Sequence, residues 1–198
     1  MENSKATFFR FDNDSSYARL KEIFIKANNI FIKKDALLII DNVSERTLCG
    51  ALKSHIEEEL AKNNINGYYA DVEYNRNGGR IKTIVDDELQ VINVQCDLIV
   101  HSRREKIEKD NLIAIEMKKK YRIANDYQKD RTRLCALTKS SYNNDVWSFD
   151  GKTFSEHVCR YILGVFYEID RGHGQIRLEF YRNGNLESTK IINFRRDF

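Results

Sequence analysis

Apolar positions along the 198-residue chain change period several times, and each change marks an expected element. From Ser16 to Asn29, Leu20, Ile23, Phe24 and Ala27 recur at helical spacing behind the cap-rich run DNDSS. The next stretch, IFIKKDALLII, reads as strand-like or mixed. A clearer helix covers residues 44–64, where Ser44 can cap and Leu48, Leu52, Ile56 and Leu60 form one apolar stripe. Three strands are expected next: GYYADVEYN, LQVINVQCDLIVH and NLIAIEMKK. The Asn77-Gly78-Gly79 turn separates the first two and the charged residues 102–110 the last two, which suits an antiparallel meander. A further helix is expected from Asn125 to Lys139, capped by Asn125 or Asp126, with Tyr127, Leu134 and Leu137 facing inward. RYILGVFYEID follows as an apolar strand and QIRLEFYRNG as a shorter edge strand. This order predicts an α/β fold, an α/β/α sandwich whose central mixed sheet is flanked by helices.

The strand NLIAIEMKK ends unusually. Side chains alternate faces along a strand, so Glu116 and Lys118 share one side while Ile113, Ile115 and Met117 share the other. In the preceding strand Asp97 interrupts an apolar run, and a buried carboxylate is costly without a partner or a metal. Two readings of these residues stand side by side. In one, Lys118 forms a salt bridge with Asp97 or Glu116; in the other, the three groups make a catalytic site.

Composition narrows the partners. Lys and Arg number 33 against 30 Asp and Glu, a formal charge of only +3, so any nucleic-acid contact must come from local patches. Lys118 to Lys120 with Arg122, and Lys129, Arg131 and Arg133, are such patches, although by default they are solvated helix and loop faces. Cys49, Cys96, Cys135 and Cys159 show no C-x-x-C spacing, and His157 with Cys159 is a single pair, so zinc is not indicated and core thiols are expected. No N-terminal stretch resembles a signal peptide and none approaches the length of a membrane span, so a cytoplasmic protein without membrane contact is expected. Glu73 and Arg76 read as a strand face and turn. Tyr68, Tyr69, Tyr74 and Phe166 read as core or cross-strand packing, and Trp147 is the one aromatic in a polar loop.

Taken in order, CDLIV and then NLIAIEMKK resemble the PD-(D/E)XK nuclease superfamily, the restriction-endonuclease-like fold. That motif has an acid on the second core strand, then acid, any residue and lysine on the third. Asp97 stands as the first acid, with Cys96 in place of the proline, and Glu116-Met117-Lys118 as the E-x-K. The resemblance spans residues 44–170. Within a single domain of 1–198, residues 1–43 are then an N-terminal elaboration and 171–198 a C-terminal edge strand and tail. It implies a DNA nuclease using Mg²⁺, with Mn²⁺ able to substitute, held by Asp97 and Glu116. Lys118 would orient or deprotonate the attacking water or stabilise the transition state.

The first helix of that fold usually adds an acid. Glu45 and Glu59 both lie on the inward side of the stripe, but Glu45 sits in the first turn, where the helix dipole favours a carboxylate, so Glu45 is the expected third ligand. His55 leans the same way and reads as a hydrogen-bonded core residue. Lys129 and Lys119 would contact substrate phosphate; an exposed helix, with Asp126 paired nearby, is the plainer explanation of Lys129. No sequence-reading module is recognisable, so specificity would come from loops, a homodimer or a partner subunit. The competing expectation is a catalytically inactive scaffold that binds nucleic acid or protein.

Overall fold

The computed structural model describes residues 13–77, 80–81, 83–85, 91–93, 95–106, 109–120, 127–139 and 159–194. Helix α1 (Asn13–Ile40) and helix α2 (Glu45–Lys62) precede strand β1 (Tyr69–Val72). Two short hairpins follow, β2 (Arg76–Asn77) with β3 (Arg80–Ile81) and β4 (Thr83–Val85) with β5 (Val91–Asn93). Then come β6 (Leu98–His101), β7 (Asn111–Lys119), α3 (Tyr127–Thr138), β8 (Leu163–Asp170), β9 (Gln175–Arg182) and β10 (Asn185–Asn193). One mixed sheet has the order β1-β6-β7-β8-β9-β10, parallel only between β7 and β8. Helix α3 lies in the connection between that parallel pair, as parallel strands require a crossover.

Both sheet faces are covered, which is why β7 is buried from Leu112 to Met117. Ile113, Ile115 and Met117 join the core under α1 and α2, and Ala114 joins the smaller core under α3, with Leu134, Leu137 and Phe166. Ser44 caps α2 by accepting the Thr47 N–H at 3.1 Å. The fold is therefore mixed α/β, with a six-stranded mixed sheet and three helices among the described residues. No helix among them is long and apolar enough to cross a membrane.

Three expectations are corrected. Residues 30–40 are helical, continuing α1, with a break at Asp35 (φ −115, ψ 16). Ile30 and Ile32 suit a strand locally, but Phe31, Ala36 and Ile39 are buried in the helical register, and packing decides. The expected strand 89–101 is divided: Val91–Asn93 pairs with Thr83–Val85, and only Leu98–His101 enters the main sheet. QIRLEFYRNG is an interior strand, because Asn183-Gly184 (φ 49 and 80) turns the chain back into β10, which is the edge.

Candidate active site

Strand β6 is shorter than β7, and that mismatch builds the site. Their pairing ends at Leu98 opposite Ile115, so β7 runs on past its neighbour. Two carboxylates stand in for the missing strand. Asp97 Oδ2 accepts the Met117 N–H at 2.8 Å, and Glu45 Oε1, from the first turn of α2, accepts the Lys119 N–H at 2.9 Å. Asp97 itself is held by its own carbonyl, which accepts the Glu73 N–H at 3.1 Å. Lys118 projects between them, its Nζ 3.4 Å from Asp97 Oδ2 and 4.0 Å from Glu45 Oε2.

Helix α3 closes the other side. Asp130 Oδ2 lies 3.7 Å from Lys118 Nζ, and Arg133 Nη1 reaches Glu116 Oε1 at 2.7 Å and Asp130 Oδ1 at 3.2 Å. Four carboxylates thus surround two cations. The cluster is graded in depth: the Glu116 side chain is 1% exposed, while those of Lys118 and Asp97 are each 25% exposed.

That gradient sets the charges. Burial pushes the Glu116 carboxyl up to about 8; Arg133 opposes the rise, and the Asp97 and Asp130 charges add to it. Burial alone would lower Lys118, but Asp97, Asp130, Glu116 and Glu45 outweigh it, so its pKa is raised and it stands as a charged donor at neutral pH. Arg133 is likewise raised against its burial by Glu116 and Asp130.

Among the described residues, no three His, Cys, Asp or Glu side chains form a ready cage for a metal ion. Mg²⁺ needs no such cage, since it keeps several waters and commonly takes one or two carboxylates. Glu116 Oε2 is buried with no hydrogen-bond partner, an orphaned hard oxygen in the same cluster as Asp97. Asp97 and Glu116 are the two carboxylates of this cluster that could hold such a hard divalent cation, and Glu45 lies across Lys118 from them.

The expected residues Asp97, Glu116, Lys118 and Glu45 are therefore brought together. Lys119 faces the opposite side of the strand and donates its Nζ to Val43 O at 3.0 Å. Lys129 is exposed on α3, next to Asp130, while its expected neighbours Asn125 and Asp126 lie outside the described residues, as do Trp147 and His157. Glu59 is buried at the far end of α2 and pairs with Lys62 at 2.6 Å. His55 is hydrogen-bonded to Asp35 at 2.6 Å, fastening the break in α1. All four cysteines are free thiols.

Sequence reasoning missed Asp130 and Arg133. Asp130 lies four residues before Leu134 on the inward stripe of α3, and Arg133 is three residues beyond Asp130, so helical spacing alone aims the pair at the sheet. Compared with known protein families, curated proteins and solved structures, the chain matches none of them.

Proposed function

We propose that the protein is a divalent-metal-dependent nuclease that hydrolyses DNA phosphodiester bonds on a restriction-endonuclease-like fold, acting in the cytoplasm. One observation carries this reading. Asp97, Glu116 and Lys118 converge at one half-open site, and the buried Glu116 leaves one carboxylate oxygen without a partner. Adding a water to a phosphodiester concentrates negative charge on phosphorus-bound oxygens. Asp97 and Glu116 would hold the cation, which would supply Lewis acidity and lower the pKa of a water bound to it. The charged Lys118 donates to a phosphate oxygen or orients the water, and Glu45 steadies the rim. Removing one such preorganised contact raises a barrier by about 2.7–4 kcal/mol, a hundredfold or more in rate.

A second reading has its own observation. Arg133 already pairs with Glu116, Lys118 with Asp97, and the Asp97 and Glu45 carboxylates occupy strand N–H groups, so each charge has a structural task in an inactive scaffold. The two part in a cleavage assay on supercoiled plasmid. The nuclease reading requires nicking with Mg²⁺ or Mn²⁺ that stops with EDTA and is lost in Lys118→Met. Intact plasmid under every metal condition favours the scaffold.

A further inference from the structure

The two edges of the sheet are treated differently. At β1, the Ala70 N–H is taken by Glu57 Oε1 at 3.1 Å, so α2 covers part of that edge. At the other end β10 is bonded, among the described residues, to β9 alone within the sheet, and most of its nine residues are exposed. A long exposed edge strand is a template for another strand. Three large apolar side chains are exposed among the described residues, and two of them, Leu186 at 52% and Ile191 at 60%, lie on this strand.

Register shows what fits there. Leu186 stands opposite Tyr181, Thr189 opposite Glu179 and Ile191 opposite Arg177, so all three share the face that carries α3. Ser188, Lys190 and Ile192 oppose Phe180, Leu178 and Ile176 and share the other face. A bulge at Glu187 brings Leu186 and Ile191, five positions apart, onto one face.

We infer that β10 pairs antiparallel with β10 of a second copy of this chain, about a twofold axis at Thr189. That axis sets Leu186 of one copy against Ile191 of the other, twice, covering both exposed apolar side chains. On the opposite face each Lys190 meets the second copy's Ser188, which already accepts the Lys21 Nζ of its own copy at 2.7 Å. A lysine on an edge ordinarily discourages pairing; Glu187, beside Lys21, offsets part of that charge, and the Leu186–Ile191 pairs on the α3 face drive the association. The inference is independent of the nuclease reading, because none of these residues belongs to the candidate site.

Two double variants at exposed positions test the register, with molar mass followed against concentration by light scattering. Leu186→Lys with Ile191→Lys opposes like charges at both symmetry-related pairs, whereas Leu186→Glu with Ile191→Lys opposes unlike ones. Wild type should show a concentration-dependent dimer. The lysine pair should associate at least about tenfold more weakly than the glutamate–lysine pair. Unchanged circular dichroism in both variants would tie the effect to association. A wild type monomeric up to about 1 mM, the weak end of the affinity scale, overturns the pairing. Equal association of the two double variants, or the reverse order, overturns it as well.

Discussion

Glu116→Gln removes a charge from the deepest point of the cluster while keeping the side chain's shape. In the metal-free protein this carboxyl titrates near 8 rather than near its ordinary 4.5, because burial opposes its ionisation. Between those values the folded chain holds a proton that the unfolded chain has released, so the free energy of unfolding falls as pH rises. The contribution is fully present below the unfolded value and lost above the folded one. At about 1.4 kcal/mol per pH unit, the whole span is worth on the order of 5 kcal/mol, and roughly 3 kcal/mol of it is gone by pH 7. Glutamine cannot ionise, so the variant lacks this loss. Near pH 5 the two proteins should be of similar stability; near pH 8 the variant should be more stable by roughly 3–5 kcal/mol. Urea unfolding in EDTA across this range measures the difference. Asp71 and Asp170, held near 2 despite burial by their Arg103, Lys120 and histidine partners, titrate below the window and are common to both proteins. A flat difference from pH 5 to 9, or a variant less stable at pH 8, would mean that Glu116 is ionised and held by Arg133 as a salt bridge.

Three further outcomes follow from the same geometry. Mn²⁺ at about a hundred times its dissociation constant should stabilise wild type by about 2.7 kcal/mol, roughly 5–10 °C in Tm for a chain of this size. Asp97→Asn, which keeps an acceptor for the Met117 N–H, should lose most of that shift in a thermal melt. Lys118→Met should keep the Mn²⁺ shift while plasmid cutting falls at least about a hundredfold; equal loss of both would make Lys118 structural. Glu45→Gln should weaken Mn²⁺ binding in a calorimetric titration, whereas Glu59→Gln, on the residue paired with Lys62 at the far end of α2, should leave it unchanged.

How far the sequence discloses this arrangement varies with the signal each residue carries. Glu116 and Lys118 are legible because successive side chains of a strand point to opposite faces, so two charges two positions apart fall on the same side at the end of an apolar run. Asp97 is legible as a charge in an apolar run, but its place just before β6 is not, since the break after Asn93 has no proline or glycine to mark it. Ile30 to Ile40 defeats local reasoning because β-branched residues there are overruled by the burial of Phe31 and Ile39. The strand β10 was hidden for the opposite reason: most of its residues are exposed, so no burial period exists to read. Its signal was the Asn183-Gly184 turn, a local hairpin mark that was available. Asp130 and Arg133 were available too, through helical spacing, but charges on a helix usually face water and the spacing carries weight only once the sheet position is known.

Anomalous diffraction from a crystal soaked in Mn²⁺ tests the metal site most directly. The proposal predicts one peak beside the Asp97 and Glu116 carboxylates, with Lys118 turned away from Asp97. An empty cluster, with Lys118 still 3.4 Å from Asp97 and Arg133 still 2.7 Å from Glu116, would contradict it.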